Sequence, residues 1–205
     1  MKEPRRGRGR PGVGRRAAAG VTAALLAAGV AGQAGCARTS IADRADTGYV
    51  RGDLSGEMDF WYSLPGRAAV SNDEGLHGLM LLEDPSAPAR TYEERVAHAK
   101  ARGWLPESWD EPAELAIQRG RIASALVVIT GIKGGVMMRL FGPVPRYALR
   151  EAVYAGLMPV SSENQTISGD DFIAIISRAQ DYMELTRANG APPPATGPAA
   201  SDGAF

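Results

Sequence analysis

An all-α fold is the class this sequence predicts: short helix–loop–helix repeats, about two and a half copies, stacked into one compact domain. Three observations point there. Between residues 58 and 187 apolar residues recur at helical spacing, as in Ile122, Leu126 and Ile129 or Phe172, Ile176, Ala179 and Met183. Strand-like patterning is nearly absent, Val136 to Phe141 being the one candidate. The folded part also repeats itself, with matching glycine and proline punctuation.

The chain opens on a different kind of segment. Residues 2–16 carry Lys2, Arg5, Arg6, Arg8, Arg10, Arg15 and Arg16 against the single acid Glu3, and Ala17 to Gly32 holds no charge. A basic stretch, a short apolar run and small residues make an export signal. The run is too short and too rich in Ala and Gly for a bilayer span, which takes about 20 apolar residues. Cys36, the sole cysteine, closes this segment, so no internal disulfide can form. A free or buried thiol is one reading of it and an attachment point for lipid is the other. The segment Gln33-Ala34-Gly35-Cys36 resembles the lipobox of bacterial lipoproteins, departing from it at Gln33. That resemblance implies diacylglycerol on the Cys36 sulfur, cleavage before it, and a protein held to the membrane by acyl chains.

Residues 1–35 are therefore expected to be a signal peptide, 36–57 a flexible tether poor in large apolar residues, 58–187 the helical repeat domain, and 188–205 a disordered Ala/Pro-rich tail. The 23 basic and 23 acidic residues balance overall, but removing the first 35 leaves 16 basic against 22 acidic. The mature chain is acidic, which argues against nucleic acid as a partner. The expected location is exported and lipid-anchored to the cell envelope. Ala37 after the cysteine implies, under the lipoprotein sorting rule, the outer membrane if the cell has two membranes.

Within the domain, Val96 to Pro106 registers on Leu149 to Pro159 at an offset of 53, and Ile117 to Leu126 on Ile167 to Ile176 at an offset of 50. Val70 to Leu79 gives the second half once more. The first helix of each unit should end at a glycine, Gly103 or Gly156, in left-handed conformation, followed by an apolar pair and a proline. The second should begin at a cap: Ser71-x-x-Glu74 is a capping box and Ser168-x-x-Asp171 approximates one. Helices this short cannot bury their faces alone, so the units must stack.

Helix, Gly-apolar-apolar turn, loop, then Ile117-Gln118-Arg119-Gly120-Arg121-Ile122-Ala123 opening a second helix resembles an S-layer homology repeat. Gln118 stands where that family has a capping Thr and Arg121 where it has Glu; the other copies lack the Arg. The resemblance implies a non-catalytic module that binds or organises cell-wall or envelope components. Arg119 is the residue it would place on an acidic cell-wall polysaccharide. With Trp104 and Trp109 flanking the loop of the best copy, the candidate ligand-binding residues are Trp104, Trp109, Arg119 and Arg121. The alternative is an envelope scaffold that binds a protein partner through its helical face.

No catalytic, metal or cofactor site is read from the residues. His77 and His98 lack ligands at metal spacing, and the serines lack a nucleophile context. The pairs Asp73-Glu74, Glu93-Glu94 and Asp170-Asp171 fall in first helical turns, where negative charge is favoured. Phe60-Trp61-Tyr62, the densest aromatic cluster, is expected to plug one end of the helical stack.

Overall fold

The computed structural model describes residues 38–49, 52–86 and 90–190; the expected signal peptide, Cys36 and the last fifteen residues lie outside the described residues. Among the described residues seven helices follow one another: α1 (Leu54–Ser63), α2 (Asn72–Glu83), α3 (Tyr92–Ala101), α4 (Arg119–Ile129), α5 (Val136–Phe141), α6 (Pro145–Tyr154) and α7 (Gly169–Ala188). Among the described residues there is no strand, only the isolated bridges Ser40–Leu115, Ser71–Ala116 and Gln118–Thr166. The fold is all-α.

Local signals set the helix ends. Ser71 accepts from the Glu74 amide while Glu74 reaches back to the Ser71 amide, closing a capping box, and Ser168 accepts from the Asp171 amide. Thr91 and Glu94 form a second box. Those backbone hydrogen bonds, from the Arg90 and Thr91 amides, hold the Glu94 carboxyl below its ordinary value. Gln118 caps α4 without a side-chain hydrogen bond. At the C-terminal ends of α3 and α6, Gly103 (φ 72°) and Gly156 (φ 77°) turn left-handed. The same two bonds follow each: Trp104 and Leu105 donate to the Ala99 carbonyl, and Leu157 and Met158 to that of Ala152.

The loops before α2, α4 and α7 meet one another. Val70 donates to Ile167 and Ile117 donates to Val70, each at 2.9 Å. The first amide of each following helix donates to a neighbouring loop: Asn72 to Leu115 at 2.7 Å, Arg119 to Gln165 at 2.8 Å, and Gly169 to Arg67 at 3.0 Å. These amides have no partner inside their own helices, so the loop before α4 serves α2, the loop before α7 serves α4, and the loop before α2 serves α7. Val70, Ile117 and Ile167 are fully buried at the centre of this ring. Around it the core runs from Phe60 through Leu79, Trp104, Ile122, Leu126 and Leu149 to Phe172 and Met183.

Three expectations are corrected. Residues 38–49 are not a free tether. Thr39 and Ile41 pair with Ala116 and Glu114, the Ala45 amide donates to Glu74 at 2.7 Å, and the Thr47 hydroxyl donates to Asp73 at 2.8 Å. Polar contacts of backbone and side chain hold them, with only Ala45 and Tyr49 packed on the core, which is why apolar content missed them; α1 then begins at Leu54, inside the expected tether. Val136 to Phe141 is helix, not strand. Only Val136 there is β-branched, Met, Arg and Leu are good helix formers, and Gly135 and Gly142 bound the segment. At the other end, α7 stays helical to Ala188, one residue into the expected tail.

Candidate functional site

The four predicted ligand residues do not form one site. Trp104 is 1% exposed and packs edge-on against His98 at 5.3 Å, inside the core. Arg119 turns toward α7, donating to the Thr166 carbonyl and pairing with Asp171. Its charge is neutralised internally, and the ring of loops holds it there.

Trp109 and Arg121 do come together. The Arg121 guanidinium lies 5.0 Å above the Trp109 ring, and Trp109 is only 6% exposed. Burial, then the charge of Arg38, lowers the Arg121 pKa against the opposing pull of Glu111. The Trp109 indole donates to the Tyr92 hydroxyl, which donates to the Glu111 carbonyl at 2.7 Å. Burial pushes the Tyr92 phenol up to about 12. A shallow groove of about 370 Å³ borders this group, lined by Tyr92, Val96, Lys100, Trp109 and Glu111. The cluster locks the α3–α4 connection, with Trp109 buried under Arg121 and Tyr92 half-buried at the edge of the groove.

The acidic and histidine residues are likewise engaged. Asp73 accepts from Arg95 through Nε at 2.9 Å and the terminal nitrogen at 2.6 Å, a forked pair almost wholly out of water. Glu74, fully buried, accepts from the Ser71 and Ala45 amides and from Arg67. His77 sits between Tyr49 and Phe60, its Nε2 2.8 Å from the Tyr49 hydroxyl. Burial opposes ionisation of Glu83, but hydrogen bonds from His98 and Arg102 outweigh it and hold the carboxyl below its ordinary value. Among the described residues no group of three or more His, Cys, Asp or Glu is placed to hold a metal.

A roomier concave surface than the Tyr92–Trp109 groove lies between α1, α2 and α7. It encloses about 490 Å³ lined by Trp61, Tyr62, Leu81, Leu82, Ile173 and Ile176, with Glu57, Ser177 and Gln180 as polar edges. Its geometry follows from Gly78: a Cβ there would stand 2.7 Å from the Phe172 ring and 3.2 Å from Trp61, so glycine lets α2 approach both. Phe60 is buried, Trp61 is half-buried and Tyr62 is 73% exposed. Trp61 and Tyr62 thus form one wall of a groove instead of closing a stack, while Phe60 sits in the core. Sequence reasoning missed Leu81, Leu82 and Ile173, and placed Ile176 only in the apolar stripe of its helix. The signal for Leu81 and Leu82 was the unbroken run Leu79-Met80-Leu81-Leu82, apolar on every side of a helix and so in need of a second covered face.

No family model matches this chain, and neither a curated protein nor a solved structure does. No helix among the described residues is long and apolar enough to cross a membrane.

Proposed function

We propose that this protein is an exported, lipid-anchored envelope scaffold whose helical module seats an apolar segment of a protein partner in the groove between α1, α2 and α7. Its role is binding, not catalysis. The observation that carries the reading is the composition of that groove. Leu81, Leu82, Ile173 and Ile176 floor it, Trp61 and Tyr62 wall it, and few polar groups converge on it. A sugar needs convergent hydrogen-bonding partners; an apolar side-chain row needs this lining with aromatic anchors. The cell-wall polysaccharide reading draws less support, because Arg119 is paired with Asp171 and Trp104 is buried. The three loop–helix segments are read as copies of one unit, supported by the shared turns at Gly103 and Gly156 and the loop-to-helix hydrogen bonds.

The test uses the full chain in cells, with a photo-crosslinking residue at Tyr62, at Ile173 and, as a control away from the groove, at Tyr154. One protein adduct shared by Tyr62 and Ile173 but absent from Tyr154, whose purified partner binds in vitro and loses affinity with Trp61→Ala, is the expected result. Equal adducts from all three positions, or sedimentation with cell-wall material that Trp61→Ala leaves intact, would overturn it.

A further inference from the structure

We infer that the α5–α6 surface is a second membrane contact: an interfacial element that settles onto anionic phospholipid, independently of the groove and of any acyl anchor. α5 turns four apolar side chains outward, Val136 (71% exposed), Leu140 (70%), Phe141 (60%) and Met137 (46%), and Val144 continues the patch. Single exposed apolar residues are ordinary, but a contiguous set on one short helix marks a contact surface. Met138 alone points inward, pinning α5 to the domain, and the Phe141 ring stacks on Tyr147 of α6 at 6.3 Å.

Charge selects the partner. Residues 131–150 hold Lys133, Arg139, Arg146 and Arg150 and no acid, in a chain that is otherwise acidic beyond the signal. All four are exposed, and none of their side chains makes a hydrogen bond or ion pair among the described residues. The nearest acid in sequence, Glu151, is occupied by the Gly135 amide at 3.0 Å. Glu163 lines the shallow groove beside Arg146 and Arg150 without pairing with either. A second copy of the chain would bring this basic surface against itself, because a two-fold contact is isologous. An acidic protein would answer the charges but leave the protruding row of Val136, Met137, Leu140 and Phe141 to find a matching pocket. A lipid surface answers both: apolar side chains enter the acyl boundary while long basic side chains reach the headgroup phosphates.

Each basic residue near an anionic surface contributes about 1 kcal/mol, roughly five-fold in partitioning. The experiment takes residues 38–205, the compact unit that holds every core residue, so that neither the basic signal nor Cys36 contributes. It is mixed with vesicles of phosphatidylglycerol in phosphatidylcholine and, separately, of phosphatidylcholine alone, and bound protein is measured by co-sedimentation. Binding to the anionic vesicles only, weakened by added salt, is expected. Arg146→Gln with Arg150→Gln should lower partitioning roughly 25-fold. Leu140→Glu with Phe141→Glu should abolish it, while the groove variant Tyr62→Glu changes nothing; all these positions are exposed, and unchanged far-ultraviolet circular dichroism checks the fold. Equal binding to both vesicle types, no loss in either double variant, or an apolar patch found to hold a dimer or a protein ligand would overturn the inference. Because no residue of α5 or α6 lines the groove, failure here leaves the scaffold reading standing.

Discussion

Replacing Gly169 by alanine inverts the usual rule for helices. Alanine is ordinarily the better helix former by about 1 kcal/mol. Gly169 opens α7 with its amide bonded to Arg67, and a Cβ there would lie 1.8 Å from the Leu64 carbonyl oxygen and 2.7 Å from its carbon. That partner is backbone, so no rotamer change relieves the overlap; the α1–α2 connection and the start of α7 must part by more than about 1 Å, against close-packed surroundings. Overpacking of this kind costs about 1–3 kcal/mol, and the disturbed Gly169–Arg67 bond adds about 1 kcal/mol. Net of propensity, Gly169→Ala should destabilise by about 1–3 kcal/mol. The assay is urea unfolding of residues 38–205, read as a lower midpoint at unchanged slope. Gly75→Ala is the comparison: its Cβ would meet the Ile117 Cδ1 at 2.7 Å, a side-chain end that can rotate away, so its cost should be smaller. A Gly169→Ala variant as stable as the parent, or less affected than Gly75→Ala, would refute this account of the loop ring.

Two further outcomes follow from the buried charges. Arg95→Met leaves Asp73 with the Thr47 hydroxyl and a distant Arg44 at 3.8 Å. Breaking such a pair costs about 3–5 kcal/mol, which for a domain of this size lowers Tm by about 10 °C; adding Asp73→Asn should recover part of it, and a drop below about 2 °C would count against the pair. Glu83 has a depressed carboxyl pKa when folded, relative to an ordinary value of 4.5. Its contribution is therefore present above that value and is lost as pH falls through the folded one. The stability gap between the parent and Glu83→Gln, measured by urea unfolding, should shrink as pH falls below that ordinary value of 4.5. A gap that stays constant would show that the His98 and Arg102 contacts contribute nothing through charge.

Helix ends were written in the sequence because they are decided within four residues. Ser71 and Glu74, Ser168 and Asp171, and the left-handed Gly103 and Gly156 each act on their own turn, so pattern alone placed them correctly. The all-α class followed from the same local signals. The roles of side chains were not legible, because they depend on partners far along the chain. Arg119 meets Asp171 across 52 residues, Arg95 meets Asp73 across 22, and Thr47 meets Asp73 across 26. No spacing rule announces such pairs. Tertiary structure turned an expected tether into a strap, drew Trp104 into the core, and locked Trp109 beneath Arg121. It also left the α1–α2–α7 groove and the α5 face uncovered. A sequence states which residues seek burial; only the packed chain settles which of them find it, because burial is a contest among all the elements for the same limited interior.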